Sequence, residues 1–134
     1  CKSSNDSSSA TSSGLFVVVG DSGTILTSSD GTTWTSRTSG TSNGLYNIFY
    51  GNSTFVAVGH SGTILTSSDG TTWTSRTSGT SEHLYGITYG NSIFVTVGYS
   101  GTILTSSDGT SWTSRTSGSS EYLMGVTYGK RNNY

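Results

Sequence analysis

The sequence contains no proline, a single methionine and a single cysteine in 134 residues, and only 10% of it is charged. Six basic and seven acidic side chains leave a net charge of −1. A balance so near zero gives no long-range pull toward nucleic acid or an anionic membrane. A chain rich in Ser and Thr but poor in charge is not a disordered polyelectrolyte. No apolar run approaches the roughly 20 residues that a membrane-spanning helix needs. No stretch shows helical spacing of its apolar residues either. With one cysteine there is no disulfide framework within the chain and no Cys pair for zinc.

What is present is a strict repetition. Ser28-Ser29-Asp30-Gly31-Thr32-Thr33-Trp34 returns as Ser67-Ser68-Asp69-Gly70-Thr71-Thr72-Trp73 and as Ser106-Ser107-Asp108-Gly109-Thr110-Ser111-Trp112. Asp30, Asp69 and Asp108 are each 39 residues apart (69 − 30 and 108 − 69). A fixed period of that length means one structural unit used three times. Residues 22–40 and 61–79 are identical at every position.

Within each unit the apolar runs are short and β-branched. Phe16-Val17-Val18-Val19, Phe55-Val56-Ala57-Val58 and Phe94-Val95-Thr96-Val97 predict a buried strand, termed b. Strands c (24–29) and d (32–38) follow, joined by Asp30-Gly31. Asp-Gly between β-prone runs predicts a two-residue type I′ hairpin turn with positive φ at both residues. A Gly/Ser/Thr loop leads to Leu45-Tyr46-Asn47-Ile48-Phe49-Tyr50, strand a of the next unit, and Gly51-Asn52 turns the chain into the next b. The order is b-c-d, then a-b-c-d twice, then a final strand a at 123–128. Four short antiparallel strands in about 40 residues match a β-propeller blade. The expected fold is therefore all-β, with three four-stranded blades at about 14–50, 51–89 and 90–129. A Ser-rich head (1–13) precedes them as a tether or assembly arm, and a polar end (130–134) follows.

The Ser-x-Asp-Gly-x-x-Trp box resembles the Asp-box (BNR) repeat of sialidase-like and photosystem-assembly-factor-like propellers, over residues 14–129. It is one residue shorter between Asp and Gly than the usual box. The resemblance implies a structural role for Asp30, Gly31, Trp34, Asp69, Gly70, Trp73, Asp108, Gly109 and Trp112, not a catalytic one. Physical chemistry points the same way, because Asp accepts hydrogen bonds from its own turn and Trp fills the gap between blades. Sialidase chemistry in that family needs three non-equivalent arginines, a Tyr nucleophile and an acidic partner. Here Arg37, Arg76 and Arg115 occupy one equivalent position on the outer strand. No enzymatic activity, cofactor or metal site is expected. His60 and His83 lie at different repeat positions and lack ligand spacing.

Three blades are too few to close, since propellers typically have four to eight. The first unit lacks its strand a and the last strand a lacks its unit. The expectation is completion by strand exchange between chains, with Leu123, Met124, Val126 and Tyr128 as the subunit-joining strand. Two copies make a six-bladed ring, and an unclosed rotation makes a helical filament. The expected partner is therefore a second copy of the chain, in a scaffold, ring or filament.

The units differ mainly at two loops. Asp21, His60 and Tyr99 share one position of the b-c turn, while the d-a loop carries Asn43-Gly44, Glu82-His83 and Glu121-Tyr122. Both loops fall on one rim of a propeller. These residues form a candidate binding face for a glycan or a surface protein, against the plainer reading of drift at exposed loops. At the other extreme of the chain, Cys1 and its Ser-rich spacer look like a mature bacterial lipoprotein. That resemblance implies a secreted or cell-surface location, touching the membrane only through a lipid on Cys1. A free thiol or an intermolecular disulfide at Cys1 are the alternatives.

Overall fold

A computed structural model describes residues 14–130. The Cys1 reading, the Ser-rich head and the last four residues lie outside the described residues. Eleven strands run in chain order as β1 (Phe16–Val19), β2 (Ile25–Ser28), β3 (Thr35–Arg37), β4 (Leu45–Gly51), β5 (Thr54–Gly59), β6 (Ile64–Ser67), β7 (Thr74–Arg76), β8 (Leu84–Gly90), β9 (Ile93–Gly98), β10 (Ile103–Ser106) and β11 (Thr113–Arg115). They form three antiparallel sheets, in the orders β1-β2-β3, β4-β5-β6-β7 and β8-β9-β10-β11, and none closes into a barrel. The all-β expectation holds. Two sheets have four strands, but the first has three.

The registers of the sheets are equivalent. Val17 faces Thr27, Val56 faces Thr66 and Val95 faces Thr105. Between strands b and c of each unit the chain makes a single turn of 3₁₀ helix, at Asp21–Gly23, His60–Gly62 and Tyr99–Gly101. The Thr that follows closes it, as Thr24 donates from its backbone N–H and its hydroxyl to the Asp21 carbonyl at 3.1 and 2.7 Å. Thr63 and Thr102 repeat both bonds. The middle residue of each turn is left-handed, with φ of 59° at Ser22.

Two sequence expectations are corrected here. Asp30-Gly31 does not form a two-residue type I′ turn. Among these boxes only the glycines have positive φ (79°, 78° and 82° at Gly31, Gly70 and Gly109), and cross-strand pairing stops at Thr27 and Thr35. Side-chain hydrogen bonds close a wider loop instead, as described below. The tight turns with two left-handed residues lie at Asn52-Ser53 (φ 50° and 58°) and Asn91-Ser92 (φ 50° and 64°). There Gly51 pairs directly with Thr54, and Gly90 with Ile93. Asn tolerates this conformation because its short polar side chain bonds locally.

The second correction concerns the final strand a. Residues 123–128 carry the right apolar residues but are not a strand, because among the described residues no strand b stands beside them. A β-strand is defined by its ladder, and apolar spacing alone does not supply one.

Packing between sheets makes the core. Each sheet has one face of Val, Val and Ile, and an opposite face of Phe, Leu and Trp. Between sheets one and two, Ile25, Val17 and Val19 meet Leu45, Ala57, Leu65, Ile48 and Trp73. Between sheets two and three, Val56, Val58 and Ile64 meet Leu84, Ile87, Phe94, Leu104, Tyr89 and Trp112. Thr96 stands in this layer, fully buried, and satisfies its hydroxyl by donating to the Gly86 carbonyl at 2.7 Å. The corresponding front face of sheet one meets nothing among the described residues. Phe16, Val18 and Trp34 are 59%, 44% and 40% exposed there, whereas Phe94 is fully buried.

This asymmetry gives a test within one repeat position. Leu65 and Leu104 are buried and Leu26 is only half-buried. Leu65→Ala and Leu104→Ala should each cost about 2–5 kcal/mol in denaturant unfolding of isolated chains, as for other buried leucines. Leu26→Ala should cost markedly less under the same conditions. Equal losses at all three positions would contradict the described packing.

Candidate functional site

The Asp boxes form one end of the sheets. In each box the Ser hydroxyl accepts the backbone N–H groups of Asp and Gly, and itself donates to the Asp carboxylate. Ser28 Oγ receives Asp30 N–H at 3.2 Å and Gly31 N–H at 2.7 Å, and reaches Asp30 Oδ1 at 3.0 Å. The same carboxylate oxygen accepts the N–H groups of Thr32 and Thr33 at 2.8 and 2.9 Å. Asp69 and Asp108 repeat the pattern with Thr71, Thr72, Thr110 and Ser111. The indole N–H of Trp73 donates to the Gly70 carbonyl at 3.0 Å, and that of Trp112 to Gly109 at 2.9 Å. Each indole thereby packs beside the Phe of its own sheet, Phe55 or Phe94, with centroids 6.3 Å apart. All these groups are occupied in closing the loop, which makes it a structural clasp.

The arginines are similarly engaged. Arg37, Arg76 and Arg115 each donate Nε–H to Thr27, Thr66 or Thr105 on the adjacent strand, at 2.9, 2.9 and 3.0 Å. They are spread one per sheet along the outer strands.

The opposite rim gathers the residues that differ between units. His60 and His83 stack with centroids 4.3 Å apart. Tyr99 meets His83 edge-on at 5.7 Å and lies 4.3 Å from Tyr122. Backbone bonds fix these loops. The His60 N–H donates to the Gly44 carbonyl, and the Tyr99 N–H to the His83 carbonyl, both at 2.9 Å. The Ser61 N–H donates to His83 Nδ1 at 2.9 Å, so the neutral ring carries its proton on Nε2. Asp21 lies beside Gly44, which has no side chain to stack on it, at the edge of the strip where the Tyr46 ring also approaches Gly44. Glu82 and Glu121 flank the strip through their neighbours, with N–H groups donating to Thr80 Oγ1 and Ser119 Oγ.

Two further residues join this rim, Tyr46 and Tyr85. Each is the extra residue where strand register slips. Leu45 pairs with Gly59 and Asn47 with Val58, skipping Tyr46, while Leu84 pairs with Gly98 and Gly86 with Val97, skipping Tyr85. Such a bulge re-aims the side chain it contains. The Tyr46 and Tyr85 rings lie 5.5 Å apart, and the Tyr46 hydroxyl shares a hydrogen bond of 3.1 Å with His60 Nδ1. Asn47 Nδ2 ties the two bulges together by donating to the Tyr85 carbonyl at 3.1 Å. The sequence signal for them was recurrence of Tyr one period apart beside the variable loops; the bulge itself leaves no mark in the residue pattern.

Among the described residues, no group of three or more His, Cys, Asp or Glu is placed to hold a metal ion. None of their helices is long and apolar enough to cross a membrane. No protein-family model matches the chain, and neither does a curated protein or a solved structure.

The clasp makes a pH prediction. The N–H group of Thr33, then that of Thr32, then the Ser28 hydroxyl hold Asp30 below the ordinary carboxylate value. The N–H groups of Thr72 and Ser111 lead the same effect at Asp69 and Asp108. A carboxylate whose pKa is lowered by folding contributes stability above its unfolded value of about 4, and that contribution is lost as pH falls through the lowered folded value. Thermal midpoints should therefore drop on acidification below about pH 4. Replacing all three residues (Asp30→Asn, Asp69→Asn and Asp108→Asn) should flatten that limb. An unchanged acid limb in the triple variant would refute the role assigned to the carboxylates.

Proposed function

We propose that this chain is a non-enzymatic, self-assembling β-propeller module, in which segment 123–128 of one copy serves as the missing strand a of the next. The observation that carries this reading is the complementarity of two unfinished surfaces. One is the exposed edge and front face of sheet one. The other is the segment 123–128, which already lies beside sheet three as β8 lies beside β4.

Several contacts support that placement. The Leu123 N–H donates to the Gly98 carbonyl at 2.9 Å, as the Leu45 N–H does to Gly20. The Tyr128 ring lies against Gly90 as the Tyr89 ring lies against Gly51, and Gly125 and Met124 approach Gly86. The segment is thus in position but without a ladder, and Met124 and Tyr128 are mostly exposed. β1, in turn, lacks among the described residues the partner that β5 has in β4 and β9 has in β8. One period before Leu45, residues 6–11 read Asp-Ser-Ser-Ser-Ala-Thr, with none of the large apolar residues of strand a.

The register follows from the repeat. Tyr89 pairs with Phe94, and Ile87 with Thr96. One period on from Tyr89 and Ile87 stand Tyr128 and Val126, and two periods back from Phe94 and Thr96 stand Phe16 and Val18, so Tyr128 pairs with Phe16 and Val126 with Val18 of a second copy. Exchange would give β1 its ladder and cover Phe16, Val18, Leu26 and Trp34 with the Val95, Val97 and Ile103 face of sheet three. Unpaired edges and bare apolar faces of this kind drive association through backbone bonds and burial together. Two copies give six blades, within the usual range for closure. The function this favours is architectural, a ring that serves as a scaffold.

Light scattering on the eluting full chain tests this directly. The expected mass is that of two chains at micromolar concentration. Val126→Asp, which would bury an unpaired charge at the junction, should weaken association by roughly 100-fold, about 3 kcal/mol. A monomer at every concentration would overturn the proposal. Masses that grow with concentration, with fibres in electron micrographs, would replace the ring by an open filament.

A further inference from the structure

We propose that the aromatic rim formed by Tyr46, His60, His83 and Tyr85 is a binding site for a neutral, linear oligosaccharide of hexopyranose units. The site is independent of the edges that join copies, since it lies within sheets two and three and their loops.

Four observations converge on that ligand. The first is the ring cluster, held in place by the two bulges, the Asn47 tie and the Ser61–His83 hydrogen bond. Tyr46 remains 43% exposed although it contacts three other rings. Exposed rings whose orientation is fixed offer flat apolar faces with polar tips, at low cost in conformational freedom. Pyranose rings present flat C–H faces that lie on such surfaces.

The second observation is an open trough of about 530 Å³ that meets the ring cluster at Ser61; it is lined by Asn43, Ser61, Thr63, Arg76 and Ser81 among others, and by none of the four rings. Ser61 links the two features, because it lines the trough and its N–H holds His83. The third is the chemistry of that lining, which is mostly hydroxyl and amide. Such groups both donate and accept, as sugar hydroxyls do. Asn43 Nδ2 is committed to Thr63 Oγ1 at 3.0 Å, which leaves its Oδ1 to accept from a ligand. A lining of this polarity would not receive a lipid chain. The fourth is charge. Arg76 is the one charged residue lining the trough, and its Nε–H is committed to Thr66 Oγ1, so no cluster of like charge is there to draw a polyanion or a polycation.

His83 adds a directional element. With Nδ1 occupied by the Ser61 N–H, its Nε2–H is left without a hydrogen-bond partner among the described residues and can donate to a ligand. A ring face, a free imidazole N–H and a hydroxyl trough together read a sugar by stacking and by hydrogen bonding at once.

Calorimetric titration of the full chain with cellohexaose, chitohexaose and mannohexaose, each separately, tests the site. Saturable binding of at least one is expected. Tyr46→Ala should weaken it roughly tenfold while leaving the thermal midpoint nearly unchanged, and Tyr46→Phe should restore most of it, since stacking needs the ring and not the hydroxyl. Asn43→Ala, on the trough side, should weaken binding without touching the rings. Absence of binding to all three sugars overturns the proposal. So does binding that survives both Tyr46→Ala and Asn43→Ala, which would place the ligand elsewhere. Val126→Asp should leave binding intact, so loss of assembly and loss of sugar binding are separable.

Discussion

Everything in this structure depends on burial between sheets. A four-stranded sheet of this composition has apolar side chains on both faces, so each must be covered from two sides. The Val, Val and Ile face of one sheet accepts the Phe, Leu and Trp face of the next, and a 39-residue period delivers them in order. The middle sheet is satisfied on both faces. Among the described residues the outer two are each covered on one. Those uncovered faces follow from the same rule that builds the core, and the proposed exchange is the pairing of one with the other.

Against that constraint, the two rims have different tasks. The Asp-box rim is nearly invariant because Ser, Asp and Gly spend their polar groups on each other and on local backbone. Little is left over for a ligand. The opposite rim is where units differ, and its rings are held by backbone bonds, by the two bulges and by the side-chain bonds of Asn47 and His83. Asp21 with Gly44, His60 with His83 and Tyr99 with Tyr122 occupy one repeated position in three chemistries. A scaffold that fixes backbone while leaving side chains free can acquire recognition at one rim without disturbing its core.

Strands b and c were legible in the sequence because their apolar β-branched runs are short, bounded by Gly and repeated. The three-sheet count and the meeting of His60, His83, Tyr99 and Tyr122 on the loop rim could also be anticipated from the period. The Asp-Gly turn misled because local side-chain bonds from Ser28 and Asp30 outcompete the tight hairpin that the dipeptide favours in isolation. The tight turns appeared instead at Asn52-Ser53 and Asn91-Ser92, which carry a weaker signal. Residues 123–128 have the apolar pattern of a strand, yet pairing is a property of two segments and cannot be read from one. Tyr46 and Tyr85 were hidden for a related reason, since the register slip that aims them belongs to the strand pair and not to either residue.

The central claim is that 123–128 of one copy pairs with β1 of another in the register of the repeat. Opposed residues in an antiparallel pair have Cα atoms about 4.5–5.5 Å apart, within disulfide reach. Two full-length chains with Cys1→Ser, one also carrying Val18→Cys and the other Val126→Cys, should form a disulfide-linked heterodimer when mixed and mildly oxidised. Pairing Val126→Cys with Ser29→Cys, which lies on the exposed Asp-box loop, should give little product. A Val18 to Val126 link no more abundant than that control would contradict strand exchange between copies.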